Sequence, residues 1–130
     1  MHKIKLLLIG LLAFISNCKG QTQQEKIEEY KTKIVGTWVS DDDSDYKIKF
    51  STDGIQKEYI DNQIQSESYN FSIVSSCDEN SNNGFDIYLK REYSGDITCD
   101  VLNNIILNDN GKLTLSITTQ RGKLHTYTKL

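Results

Sequence analysis

The chain has 130 residues, with 18 acidic and 15 basic side chains and a formal net charge of −3. This length gives one domain with a modest core, and the mildly acidic balance gives no reason to expect nucleic acid as a partner. The sequence contains no proline, so asparagine, aspartate, serine and glycine must form the turns.

The first 17 residues have the organisation of a secretory signal peptide. A short basic start with Lys3 and Lys5 precedes an apolar run over residues 6–15, and the chain turns polar from Lys19 onward. That order of basic, apolar and polar segments is typical of export signals. The run is too short for a membrane-spanning helix, which needs about 20 residues. We therefore predict that residues 1–17 form a signal peptide.

Cys18 stands directly after this segment. Its position resembles the lipobox cysteine of bacterial lipoproteins, in which the thiol is acylated, the chain is cut before the cysteine and the new N-terminus is lipidated. The resemblance implies lipid attachment at Cys18, with palmitate among the acyl groups, and a membrane contact made by the lipid alone. Lys19 follows, and not the aspartate that retains such proteins in the inner membrane, so we expect a cell-envelope location at the outer membrane. The alternative is an ordinary secreted protein with a spare cysteine.

Residues 18–33 are predicted to form a tether and a short helix. Thr22 and Glu25 have the spacing of a capping box, in which the two side chains satisfy free N–H groups at a helix start. Three apolar residues then fall on one helical face: Ile27, Tyr30 and Ile34. This spacing predicts a helix over residues 23–33 that covers one end or edge of the remaining domain.

From Ile34 onward the apolar residues alternate with a period of two, which is typical of strands with one covered face. Turn pairs such as Asp53-Gly54 separate the runs. The pattern predicts eight strands, starting near residues 36, 46, 55, 69, 85, 97, 113 and 123. An up-and-down meander of eight strands removes its exposed edges by closing. We therefore predict an all-β fold, an eight-stranded up-and-down antiparallel barrel over residues 34–130 with a short N-terminal helix.

Large side chains are predicted to fill this barrel. Six are expected to point inward: Trp38, Tyr46, Phe50, Tyr69, Phe71 and Phe85. A barrel of eight strands has room for its own side chains or for one small ligand. We expect a mostly filled interior with at most a shallow apolar cup at one end, which we call the open end. Alternating turns place residues 41–45, 61–62, 93–95 and 120–122 at that end, and His125 is expected on the outward face.

The segment Gly36-Thr37-Trp38, at the start of the first strand, resembles the Gly-x-Trp signature of lipocalins. Residues 46–54 and 109–115 are similar to strand and turn segments of small bacterial lipocalin-like lipoproteins. The resemblance implies that Trp38 packs across the closed end of the barrel, with a basic residue of the last strand over it. Lys129 is the basic residue in that place. Gly36, Trp38 and Lys129 are therefore expected to be structural.

The two remaining cysteines form an even pair once Cys18 carries lipid. An exported protein meets oxidising conditions, so a disulfide between Cys77 and Cys99 is the natural prediction. The alternatives are two buried free thiols or a zinc site. Zinc is disfavoured because no CxxC spacing exists and His125 alone would remain after signal removal. No metal is predicted.

Four aspartates form the densest charge cluster: Asp41, Asp42, Asp43 and Asp45. Together with Arg121 they are the predicted contacts for a ligand or partner at the open end. Hard cations such as Ca²⁺ take six or more oxygens, so this loop could also begin a cation site, although it lacks the EF-hand pattern. Other interpretations are a solvated loop, or an acidic lip that meets a basic protein.

No pattern typical of catalysis is present. Ser44 and Lys47 match the letters of S-x-x-K, but that motif needs a helix and these residues lie where a loop enters a strand. We predict a monomeric non-enzyme without a cofactor, whose barrel binds a small apolar or amphipathic ligand. The alternative is a protein-interaction module, such as an inhibitor of an envelope-directed enzyme or an accessory subunit of an envelope complex. A cavity of several hundred Å³ favours ligand binding, and a filled barrel with a patterned acidic rim favours the protein-interaction module.

Overall fold

A computed structural model describes residues 21–78 and 85–130. The predicted signal peptide and Cys18 lie outside the described residues. The predicted helix is confirmed as α1, which spans Gln23–Lys33. Thr22 begins it as predicted, because its Oγ1 accepts a hydrogen bond of 3.2 Å from the backbone N–H of Glu25. Within the described residues, no helix is long and apolar enough to cross a membrane.

The predicted barrel is also confirmed. Its eight strands pair each with the next, and the last pairs with the first, all antiparallel. The strands are β1 (Gly36–Ser40), β2 (Tyr46–Phe50), β3 (Ile55–Ile60), β4 (Gln63–Val74), β5 (Tyr88–Tyr93), β6 (Asp96–Leu107), β7 (Leu113–Thr118) and β8 (Leu124–Lys129). Closure leaves no unpaired strand edge, which is the physical reason for a barrel in place of an open sheet.

Tight turns hold the register at the open end. Asp61 and Asn62 join β3 to β4, and both have positive φ, at 50° and 64°. Ser94 and Gly95 join β5 to β6 with φ of 50° and 86°. Two consecutive positive φ values twist a hairpin in the sense of its strands, and short polar residues or glycine tolerate them best. The absence of proline is therefore no obstacle to these hairpins.

Helix α1 and Trp38 close the opposite end of the barrel. Trp38 is fully buried, and its Nε1–H donates to the carbonyl of Ile34 at 2.8 Å. Lys129 pairs with Trp38 across β1 and β8, places its Nζ 5.5 Å from the indole centroid and donates to the carbonyl of Lys33 at 2.9 Å. The apolar face of α1, with Ile27 and Tyr30, belongs to the same core. The helix thus covers one end of the barrel.

Gly36 makes the close approach at this end. Its φ is +137°, a conformation that side-chain-bearing residues rarely adopt. A Cβ at Gly36 would lie 2.6 Å from Cε of Lys129. Glycine here therefore lets Lys129 lie flat over the start of β1.

Two sequence predictions about orientation are wrong, and one strand has its more apolar face outward. Phe85 does not point into the barrel: β5 begins only at Tyr88, and Phe85 is 89% exposed. His125 faces inward, because it shares a face of β8 with the buried Tyr127 and pairs with the buried Ile117. In β6 the inward face carries Asp100 and Leu102, and not the alternating residues Ile97, Cys99 and Val101.

The predicted disulfide joins Cys77 to Cys99, with a sequence separation of 22. This bond excludes both the free-thiol and the zinc alternatives. It also explains the outward apolar residues of β6, since the connection between β4 and β5 is tied to the outer face of the barrel there. Tyr88 and Cys99 are buried on that outer face, whereas their neighbours Leu89 and Asp100 are buried on the inner face.

Candidate functional site

The open end of the barrel forms a cup of about 370 Å³. The strand pairing determines which side chains line the cup. Ser40 pairs with Tyr127 across β1 and β8, and His125 lies at the next inward position of β8, nearer the rim. The lining comes from four strands and two loops: Ser40, Asp42, Asp43, Tyr46, Arg91, Thr119, Lys123, His125 and Tyr127. The cup therefore combines the apolar surface of two tyrosine rings with charged and polar side chains, which the predicted apolar cup did not include.

A filled apolar core underlies the cup. The fully buried residues include Trp38, Leu89 and Leu115, and Phe50 packs edge-on against Phe71 with ring centroids 4.9 Å apart. Large side chains thus fill the closed half of the barrel, as the sequence predicts.

The floor of the cup carries a buried ion pair. Arg91 and Asp100 face inward from β5 and β6, and a guanidinium Nη of Arg91 donates to Oδ2 of Asp100. Asp100 is 1% exposed, and its Oδ1 accepts from the backbone N–H of Gln120 at 3.3 Å. Because a buried carboxylate is costly unless it is paired, this arrangement fixes Arg91 beneath the cup and ties the β7–β8 turn to the barrel.

Two tyrosines form the aromatic walls. The rings of Tyr46 and Tyr127 have centroids 6.5 Å apart, and His125 stands 6.5 Å from the ring of Tyr127. Burial raises the pKa of Tyr46 strongly, and nearby Glu58, which hydrogen-bonds the phenol, adds to the rise. Burial likewise raises the pKa of Tyr127. Both phenols therefore stay neutral to a higher pH than an ordinary tyrosine, and the Tyr46 hydroxyl is already hydrogen-bonded to Glu58.

Acidic and basic side chains both line the cup, and among the described residues they form no ion pair with each other. Asp42 and Asp43 lie on the β1–β2 loop, and Lys123 lies where the β7–β8 turn enters β8. Across residues 21–78 and 85–130, the ion pairs are Lys31–Glu28, Lys33–Glu29 and Arg91–Asp100. None joins an acidic residue of the cup to a basic one. The Asp42 carboxylate and the Lys123 ammonium therefore remain available to a ligand.

One further polar side chain is buried inside the barrel. Gln56 is fully buried and pairs with Phe50 and Tyr69 on the neighbouring strands. Neither its amide nitrogen nor its amide oxygen has a hydrogen-bond partner in the described part of the protein. Leaving both groups unpaired is costly, of the order of 1–3 kcal/mol each.

The predicted open-end contacts divide into two groups. Asp42 and Asp43 line the cup. Asp41 instead accepts a hydrogen bond of 2.7 Å from Thr128, while Asp45 and Arg121 are exposed and do not line the cup. In the described ranges no three side chains of histidine, cysteine, aspartate or glutamate come together as a metal site. The calcium interpretation of the acidic loop thus has no assembled site there.

Sequence reasoning missed Arg91, Asp100, Lys123 and the inward position of His125. Arg91 could have been found from the sequence, because it lies two residues after the apolar Leu89 and therefore on the same face of β5. Asp100 could not, since its neighbours Cys99 and Val101 form the more apolar face.

No protein-family model, curated protein or solved structure matches the chain. The barrel and its cup must therefore carry the functional argument by themselves.

Proposed function

We propose that this protein is a lipid-anchored, non-catalytic binding protein of the cell envelope, whose lipocalin-like barrel holds a small amphipathic molecule in the open-end cup. The cup is the observation that carries the proposal. Its volume of about 370 Å³ falls within the range of about 300–1,000 Å³ that small-molecule sites show. Two tyrosine rings offer apolar surface beside charged and polar side chains, which suits an amphipathic ligand better than a purely apolar one.

Native mass spectrometry of the protein, purified in detergent from its own envelope, tests ligand binding. We expect a co-purifying small mass that disappears on denaturation. Ser40→Phe should fill the cup and abolish that mass. Thr126→Phe, one position from Tyr127 on the outer face of β8, is the matched control and should retain it. A chain that carries no small molecule would contradict the proposal.

The anchor is tested on the N-terminus of the mature protein. We expect the first residue to be Cys18 with attached acyl groups, and Cys18→Ser to move the protein from the membrane fraction to the soluble fraction. A mature chain that begins elsewhere, or a wild-type protein that is soluble without detergent, would remove the lipid from the proposal and leave the cup.

A second candidate, docking of an envelope protein, is favoured by exposed apolar side chains beside two open-end turns. Ile60 and Ile64 flank the β3–β4 turn and are 46% and 54% exposed; Tyr93 and Ile97 flank the β5–β6 turn. A photocrosslinker at position 64 should capture one discrete partner in the intact envelope. The matched control is position 106, which is 55% exposed but lies toward the closed end. Equal capture at both positions would exclude a specific open-end partner.

A further inference from the structure

We infer that an exposed apolar patch beside the start of α1 inserts into the bilayer that the lipid on Cys18 enters. We call it the closed-end patch, and its residues are Phe85, Ile106 and Leu107. This contact rests on the lipid anchor of the proposed function and goes beyond it, because the folded barrel itself then touches the membrane.

The three side chains of the closed-end patch are large, apolar and open to solvent. Phe85 is 89% exposed, Leu107 is 66% exposed and Ile106 is 55% exposed. Apolar surface gains free energy when it leaves water, and a group of exposed apolar side chains marks a site of protein or membrane contact. The patch therefore fits a partner that offers an apolar environment.

Strand β6 brings the three residues to one region of the barrel. The backbone N–H of Leu102 donates to the carbonyl of Ile87 at 2.8 Å, so the segment before β5 continues beside β6 toward the closed end. Phe85 lies on that segment, and Ile106 and Leu107 are the last two residues of β6. The patch therefore follows the closed-end part of β6.

The start of α1 lies beside the same patch. Gln21 and Phe85 line one groove of about 330 Å³, and Gln23 donates to the carbonyl of Asp86 at 2.9 Å. Cys18 is three positions before Gln21, so their Cα atoms are at most about 11 Å apart. A lipid on Cys18 therefore holds this side of the barrel at the bilayer surface, which selects the bilayer over a protein as the partner of the patch.

The charges beside the patch fit a membrane surface without net charge. Lys26 and Asp86 both line the groove, and Lys112 and Asp109 are exposed in the turn that follows β6. Since both signs are present, insertion should depend on apolar contact and not on anionic headgroups. The depth of the patch should therefore not change with ionic strength.

Electron paramagnetic resonance of a nitroxide label measures this depth in the mature lipidated protein, reconstituted in phosphatidylcholine vesicles. Ile106→Cys carries the label, which attaches only there because Cys18 bears the lipid and Cys77 is bridged to Cys99. The matched control is Ile64→Cys, an isoleucine of equal exposure (54%) at the open end. We expect the label at position 106 to lie about 5–10 Å below the membrane surface, and the label at position 64 to stay in water.

Serine variants separate insertion of the patch from mere nearness to the anchor. Phe85→Ser with Leu107→Ser should return the label at position 106 to water, while the lipid keeps the protein on the vesicles. Ile60→Ser with Tyr93→Ser, beside the open-end turns, is the matched control and should leave the depth unchanged. All four side chains are exposed, so these variants should keep the wild-type circular dichroism.

The failure of this inference is distinguishable from that of the proposed anchor. If the protein binds vesicles but the labels at positions 106 and 64 are equally accessible to water, the patch does not insert and the anchor stands. Capture of a discrete protein by the photocrosslinker at position 106 would also overturn the membrane contact. If the mature chain carries no lipid and does not bind vesicles, both the contact and the anchor are wrong.

Discussion

Asp100 and Arg91 show how much one buried charge can constrain a small barrel. The Asp100 carboxylate is almost completely shielded from water, and it depends on Arg91 and on the N–H of Gln120 for its charge to be tolerated. Removing one partner of such a pair leaves the other charge buried and unpaired, which destabilises the fold far more than replacing both partners. The pair therefore favours this strand register over others that would leave the charges apart.

Arg91→Ala is expected to lower the free energy of unfolding by about 3–5 kcal/mol, because it leaves Asp100 buried and unpaired. The double variant Arg91→Met, Asp100→Leu should lose less than Arg91→Ala alone. Urea unfolding followed by circular dichroism measures both. Arg121→Ala, at an exposed position, is the control; a loss in Arg91→Ala no larger than in the control would contradict the assigned role of the pair.

Gly36 gives a second test at the level of single residues. Gly36→Ala should cost about 1–3 kcal/mol, since it forces a side chain into a positive φ and against Lys129. Adding Lys129→Ala removes the clash but not the backbone strain, so the two substitutions should be less costly together than the sum of their separate effects. Strict additivity in thermal or urea unfolding would show that the contact with Lys129 does not matter.

Strands β5 and β6 are covered on both faces where Tyr88 and Leu89 lie beside Cys99 and Asp100. The disulfide to Cys77 lies on the outer face, and the barrel interior lies on the other. Two neighbouring residues, Tyr88 and Leu89, are therefore both buried. Stability in this part of the sheet should depend on the bridge as well as on the core.

Replacing both cysteines, Cys77→Ala with Cys99→Ala, is expected to lower the free energy of unfolding by about 3 kcal/mol, because the closed loop no longer limits the unfolded chain. The barrel itself should persist, since its strand pairing is independent of the bridge. Denaturant unfolding with far-UV circular dichroism measures both effects. Wild-type protein under reducing conditions should match the variant; a collapse of the β signal in either would refute the independence of the barrel.

The same strands show which parts of the structure the sequence could predict. The period-two pattern predicts the strands, the turns between them and the closure of the barrel. It does so because shifting the strand register by one residue would expose a whole apolar face to water. Helix α1 follows from Thr22 and its apolar stripe. The inward face of β6 could not be predicted, since the covered outer face carries more apolar residues than the inner one. Asp100 and His125 were not predicted to face inward because charged and polar side chains are mostly exposed, whereas Arg91 follows from the alternation of β5 through the buried Leu89.

At the scale of the whole molecule, buried tyrosines make the free energy of unfolding depend on pH in the alkaline range. Five tyrosines have a pKa raised above the ordinary 10.0, mainly by burial: Tyr30, Tyr46, Tyr69, Tyr88 and Tyr127. The folded state therefore favours their neutral forms. Their contribution to stability is fully present below pH 10 and is lost as the pH rises above it, because the unfolded chain releases those protons first.

We expect the free energy of unfolding to fall with increasing steepness above about pH 10. Tyr46→Phe removes the most strongly shifted phenol and should make the fall shallower without changing its onset. Urea unfolding at a series of pH values, together with absorbance of tyrosinate, measures the slope. An unchanged slope in Tyr46→Phe would mean that this phenol does not contribute to the alkaline loss.

The position of α1 also sets which way the barrel would face. The helix starts beside the β4–β5 connection, where Gln23 donates to the carbonyl of Asp86, and it ends over Trp38 at the closed end. Only two residues stand between Cys18 and Gln21, so their Cα atoms are at most about 11 Å apart. A lipid on Cys18 would therefore hold the closed end of the barrel near the bilayer, with the open end directed away from it. In that orientation, a ligand of the cup would enter from the aqueous compartment and leave into it, and it would not pass through the membrane.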